Sequence, residues 1–281
     1  MLVHRTEALP MTLRFTRTRI GAPDRVGADG ISRPQPPESL YDLVRDLRAT
    51  DPGSRWFFHW SEGADRPAID LWAGVSTAFS REFTSHLEKA FGPIGVPPTN
   101  TPEISAVRPI ECDDDVAMAS SELGLAITRE PALDYRSQLV VAVWHLRHVV
   151  ALIEESGRRG FLFRCWQHHT AGLTPAQRTD LCARGADTAG VCDAGLPAMG
   201  PDAERGWDGY LRALRRAVRD WEAAGAPVNY LLFEHAHLTL RRLRIPPSVE
   251  ALAARTVRLA LTPSGADRQP VAVPGAVLQT A

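Results

Sequence analysis

With 281 residues, 44% of them hydrophobic and 23% charged, the chain can bury the core of one large domain or of two closely packed halves. A formal net charge of −1 supplies no electrostatic case for nucleic acid or a membrane surface as partner. Lys89 is the sole lysine, so positive charge is carried by arginine, whose fixed fork of donors suits carboxylates and peptide carbonyls.

In chain order, residues 9–20 alternate as a strand, with Leu13 and Phe15 on one side and Thr12, Arg14 and Thr16 on the other. A Gly/Pro-rich loop runs to Pro37, and a helix follows over Glu38–Arg48 on the stripe Leu40, Leu43, Val44 and Leu47. Arg55–Trp60 and Ala68–Val75 read as a hairpin about the Gly63-Ala64-Asp65 turn. Ser76 is the expected N-cap of a helix to Ala90, on Phe79, Phe83 and Leu87. The prolines of 92–102 mark a connector, Ile104–Ile110 a third short strand, and Asp113–Ile127 a helix with acidic residues at its favourable end.

After Pro131 the pattern is helical. Asp134–Glu155 reads as one long helix, followed by Gly160–Thr170, Pro175–Arg184, Glu204–Ala224, a helix opening at Pro227, and Val249–Leu261. Residues 262–281 lack period and are expected to be a disordered tail. The expected fold class is α+β: a small antiparallel sheet with helices (about 9–128), then a predominantly helical half (about 131–261), together one domain.

The four cysteines show no paired spacing and read as reduced thiols; with no signal-type apolar segment and no membrane-length run, the cytoplasm is the expected location. No phosphate-binding glycine loop, nucleophile elbow or H-E-x-x-H occurs. His235 and His237 stand two apart on a helix and diverge by about 200°, and the neighbours His168 and His169 also diverge. Neither pair can chelate one ion, so no metal and no cofactor are expected. What remains is acid–base chemistry by histidine and carboxylate.

The helix from Pro227 carries ionisable groups on both faces: His235 and Arg242 beside Leu232 and Thr239, against Tyr230, Glu234, His237 and Arg241. Within it, Leu231-Leu232 and His237-Leu238-Thr239-Leu240-Arg241-Arg242-Leu243, followed by Glu250, resemble the ending of the lantibiotic-dehydratase C-terminal family, with Arg241 where asparagine is usual. That family includes glutamate-elimination domains and the stand-alone pyridine synthases of thiopeptide biosynthesis. Pro102-Glu103, Arg108, and Met118 with Glu122 follow the order of its earlier motif, with Pro109-Ile110-Glu111 in place of Tyr-Gly-Gly. The strand that carries His-x-Arg-x-Arg in elimination domains is here Ala68-Ile69-Asp70-Leu71-Trp72, without arginine. Since arginine is the natural fork for a departing glutamate, the resemblance points to a pyridine synthase.

The resemblance implies a substrate: a linear, leader-bearing ribosomal peptide with azoles and two dehydroalanines. A formal aza-[4+2] cycloaddition would close the macrocycle, with loss of water and leader peptide forming the pyridine. It implies His237 as proton donor with His235 second, Tyr230 as a further donor, Glu103 or Glu122 as amide acceptors, and Arg242 at the substrate or as a structural anchor. Trp56, Trp60, Trp72 and Trp166 are candidates to stack on azoles, with core packing as the alternative. Other biosynthetic enzymes are candidate partners. Two further readings stay open: a split elimination domain, and a non-catalytic subunit that recognises the leader peptide.

Overall fold

A computed structural model describes residues 13–26, 32–61, 67–91, 115–184 and 190–261. The expected strand at 104–110, the tail after 261 and the candidate Glu103 lie outside these residues. The described part is α+β, mostly helical with a small antiparallel sheet.

β1 (Leu13–Gly21), β4 (Arg55–Ser61) and β5 (Ala68–Ser76) form that sheet in the order β1-β5-β4, with Phe15 opposite Gly74 and Phe58 opposite Leu71. The Phe15 ring lies over Gly74, where a Cβ would come within 2.6 Å of it, so glycine there lets the aromatic cover the sheet. β2 (Asp24–Val26) and β3 (Ser32–Pro34) make a separate short ladder.

One face of the sheet packs on α1 (Glu38–Thr50) and α2 (Ser80–Phe91) through Ile69, Leu71, Trp56 and Phe58 against Leu40, Leu47, Phe83 and Leu87. Ser76 does not cap α2. It pairs with Leu13 as the last residue of β5, and its N–H donates to Asp51 (2.8 Å), so a turn precedes the helix. Strand pairing outweighed its capping propensity.

β4 is an edge strand, and a bare edge would leave its outward N–H and C=O groups unpaired. Side chains from two helices cover it. Ser121 of α3 (Asp115–Thr128) accepts from Phe58 N–H at 3.2 Å, and the Arg242 guanidinium of α8 (Val228–Arg242) donates to the Phe58 carbonyl at 2.9 Å and to Ser120 Oγ at 3.0 Å. α3 comes this close because residue 124 is glycine, where a Cβ would meet the Phe58 ring at 3.1 Å and Arg242 Cβ at 3.2 Å. Nearly buried all round, α3 sends Leu125 into the sheet core and Leu123 into the helical core.

The helical core gathers α4 (Tyr135–Ala151), α5 (Glu155–Thr170), α6 (Pro175–Arg184), α7 (Pro201–Ala223), α8 and α9 (Pro247–Ala260). The single helix expected over Asp134–Glu155 is two: α4 ends at Ala151 and α5 begins at Glu155. Arg158 bridges the break, donating to the Ile153 carbonyl at 2.9 Å, a group that the broken helix leaves open. Inside this core the buried His145 bonds Tyr210 Oη through Nε2 at 2.8 Å, and burial pushes its pKa down to about 4. No helix among the described residues is long and apolar enough to cross a membrane.

Arg242→Met should remove a buried donor from two elements and destabilise the protein by about 3–5 kcal/mol in urea denaturation. Ser121→Ala, which leaves only Phe58 N–H unpaired, should cost about 1–3 kcal/mol.

Candidate functional site

Three helices meet where the sequence placed its late motif. α7 stops at Gly225, whose φ of +66° closes a Schellman turn: Ala226 N–H donates to the Trp221 carbonyl and Gly225 N–H to that of Glu222. Pro227 then stands at the N-cap of α8. α8 closes in the same way, with Ile245 N–H on the Leu240 carbonyl and Arg244 N–H on that of Arg241, both 2.9 Å. Here Arg244 takes the left-handed position (φ 59°), held by its bond to the Pro34 carbonyl (2.7 Å) and its stacking on Trp60 (4.6 Å). Pro246 forbids continuation, so α9 turns back along α5 and α8 and places Glu250 in its first turn.

Glu250 lies between two imidazoles. Its Oε2 accepts from His237 Nδ1 at 2.9 Å, and its Oε1 lies 3.0 Å from His169 Nε2 of α5. The Glu250 and His169 side chains are each 2% exposed, whereas His237 keeps 16%. The His169 and His237 rings are 4.8 Å apart, and the His168 ring stands 4.9 Å from the first and 6.0 Å from the second. Burial works to raise the Glu250 pKa, but the two facing imidazoles outweigh it and hold the carboxyl down at about 2, so it is ionised at neutral pH. Burial, with His169 and His237 close by, lowers the pKa of His168.

Beside this trio a cleft of about 510 Å3 opens between α5 and α8, a size usual for small-molecule or peptide pockets. Phe161, Arg164, His168, Asn229, Tyr230 and Phe233 line it, and His168 and Phe233 make a ring contact at 5.0 Å. Gly157 and Gly160 of α5 form part of the wall, and a Cβ at Gly160 would meet nothing within 4 Å.

Of the residues expected from the sequence, the structure brings His237 and Tyr230 to this region. Tyr230, 56% exposed, stands in the cleft wall. His235 points elsewhere on α8: fully buried, it stacks on Trp221 at 5.4 Å and 14°. Arg242 is 1% exposed and serves the anchor that joins sheet, α3 and α8. Glu122 pairs with Arg48 in a different, larger cleft of about 670 Å3 between α1, α3 and α7, whose lining includes no histidine. Trp72 stacks on Phe57 and under Arg17 in the sheet, Trp56 is buried there, Trp60 donates to the Arg242 carbonyl at 3.1 Å, and Trp166 packs against the helical core. Among these the helical core, the sheet and α8 itself use the tryptophan rings. Sequence reasoning missed His169, His168 and Phe233. Spacing within one helix set the two histidines aside, and only the crossing of α5 with α8 and α9 gives them partners.

Chemically, the arrangement is an oriented acid–base pair. With Nδ1–H held by Glu250, the His237 ring is oriented and Nε2 is the ring atom left for proton transfer. Because the Glu250 pKa is lowered by folding, the stability it confers is present above the ordinary value of 4.5 and is lost as pH falls toward about 2. Glu250→Gln should therefore destabilise the protein at pH 7 by roughly 2–4 kcal/mol, and the gap from the parent should narrow at pH 3; denaturant titrations at the two pH values check this.

No family model matches the chain, and no curated protein matches it. Among solved structures, the chain is similar to the pyridine synthase TbtD from thiomuracin biosynthesis, with 14% identity and a TM-score of 0.41, over 88% of this chain and 97% of that one.

Proposed function

We propose that the chain is a peptide-modifying enzyme of thiopeptide biosynthesis, a pyridine synthase acting on a linear, leader-bearing peptide that carries azoles and two dehydroalanines. The observation that carries this reading is the His237–Glu250 pair beside a cleft walled by Tyr230, Phe233 and His168. The residues of the late sequence motif supply the pair. In the proposed reaction, one dehydroalanine and the iminol tautomer of its neighbouring amide react with the second dehydroalanine, closing the six-membered ring and the macrocycle. Loss of water and then of the leader as its amide gives the aromatic pyridine.

Most of the acceleration is assigned to holding two remote alkenes together, which replaces a large entropic barrier. The two eliminations each need a proton at the departing group. His237 supplies it, with Glu250 orienting the ring, and Tyr230 hydrogen-bonds the carbonyl or hydroxyl that is lost. Phe233 offers an apolar face for azole rings, and Arg164 offers a donor fork for peptide carbonyls.

The sheet supports this reading over glutamate elimination. Arg17 and Arg19 on β1 stand opposite Trp72 and Asp70, and Asp70 engages both, at 3.0 Å and 4.0 Å. A guanidinium already paired with a carboxylate of its own sheet is poorly placed to receive a leaving glutamate.

The experiment is mass spectrometry of the protein with an azole peptide bearing a leader and two dehydroalanines. The expected product has lost water and released an intact leader amide. His237→Ala should lower turnover by about 100-fold or more, as for loss of a general acid. Gly160→Trp, which adds bulk to the α5 wall of the cleft while leaving His237 and Glu250 in place, should raise KM more than it lowers kcat. Unchanged peptide mass with retained binding would leave a recognition subunit and sink the catalytic reading.

A further inference from the structure

We infer that His169, His237 and Glu250 form a binding site for one divalent transition-metal ion, with zinc as the representative. The inference goes beyond the proposed reaction and does not rest on it. Three helices supply one ligand each, and the donor atoms all lie within 4.8 Å of one another. The divergence of histidines along a single helix does not bear on this set, since α5, α8 and α9 each turn one donor toward the same point.

The separations fit. Adjacent ligands about an ion with bonds of ~2.0–2.2 Å stand roughly 2.9–3.4 Å apart, and each imidazole nitrogen lies at such a distance from its own oxygen of the carboxylate, His237 Nδ1 2.9 Å from Oε2 and His169 Nε2 3.0 Å from Oε1, so a single-oxygen ligand meets one of them at that spacing. The widest spacing in the set exceeds the ~4.2 Å of opposed ligands, so binding requires a small inward rotation of the side chains.

A second observation points the same way. His169 Nε2 is buried and lacks a hydrogen-bond partner, although Glu250 Oε1 is only 3.0 Å away. The contact has the distance of a hydrogen bond but not its direction. A buried imidazole nitrogen close to a carboxylate oxygen but out of line with it is placed to share a ligand atom's role with that oxygen. On the other side, His237 Nδ1 does hydrogen-bond the second carboxylate oxygen.

The donor set selects the ion. Two imidazole nitrogens and one carboxylate oxygen suit zinc, cobalt, nickel or ferrous iron, and not magnesium or calcium, which prefer all-oxygen ligands. Three protein ligands leave at least one coordination position for water or another oxygen ligand, and His237, 16% exposed, keeps the set within reach of solvent. An ion there would polarise a carbonyl bound as that ligand, a task that the proposed reaction also needs.

The test uses the full chain after chelator treatment and dialysis. Cobalt is titrated by visible absorption and zinc by calorimetry, with magnesium and calcium as comparisons. One equivalent of cobalt should give the intense bands of a low-coordinate, imidazole-bound ion, zinc should displace it, and magnesium and calcium should not. Zinc should also raise the thermal midpoint of the parent protein. His169→Asn and Glu250→Gln should each weaken zinc binding by at least about 100-fold, more than loss of a supporting partner alone costs. His86→Ala, which removes a histidine of α2, should leave it unchanged. Absence of stoichiometric cobalt and zinc binding by the parent would overturn the inference whatever the variants do, as would equal affinity in the parent and a folded His169→Asn. The readout is the ion, so either result leaves the peptide reaction to its own experiment.

Discussion

The covering of the β4 edge by the Arg242 guanidinium is the contact on which the rest of the structure depends. Among the described residues the strand has a partner on one side only, and the polar groups of Phe58 face outward. Arg242 fills the carbonyl side and Ser121 the amide side, so the sheet is joined to the helical half by hydrogen bonds made inside the core. A buried guanidinium is costly unless its donors are used, and this cost makes the junction specific: a shifted α8 would strand both the charge and the strand edge. The hydroxyl pair of Ser120 and Thr239, 2.9 Å apart, fixes the same helix one turn earlier.

The site's geometry follows from that registration. Once α8 is set, the turn over 243–245 and Pro246 determine where α9 begins, and the first turn of α9 carries Glu250. The carboxylate enters the interior because two imidazoles meet it there. Either imidazole alone would leave one oxygen without a counterpart. His169 and His237 together set a full negative charge against an environment that would otherwise protonate it. The two proposals draw on the same three groups: in the first they act as an oriented general acid, in the second as ligands of one ion.

The cleft owes its volume to backbone as much as to side chains. Gly157 and Gly160 lie on the α5 wall, and aromatic side chains stand opposite them on α8. Glycine inside a helix costs about 1 kcal/mol relative to alanine, so two in one wall are a local expense in helix stability that keeps space open. At the sheet, the tryptophans have structural partners: Trp60 bonds the Arg242 carbonyl and Trp72 lies on Phe57. In the proposed reading, aromatic recognition falls to Phe233 and Tyr230, which line the cleft.

Much of the fold was legible in the sequence because its signals are local. Pro227 and Pro246 mark helix ends by what their backbones permit, the period marks the stripe of α1, and the Gly63-Ala64-Asp65 turn between two strand-like runs marks the β4–β5 pair. Two local readings gave way to neighbours: Ser76 to pairing with Leu13, and the continuous apolar period across 151–155 to a break that the period does not register. The importance of the helix bearing His237 was also legible, from the polarity of both of its faces. The partnership of His237 was not. His169, His237 and Glu250 sit on three helices, and a helix's own period says only which way a side chain leaves its axis. Whether it meets another depends on crossing angles set by packing far from the site, at Gly124 against Phe58 and at Arg242 against the sheet edge. The sequence by itself determined which residue types were available and, at Pro227 and Pro246, where a helix could begin or had to stop. Only the tertiary structure decided which of them share one carboxylate, because that choice is a property of three helices packed together and of none alone.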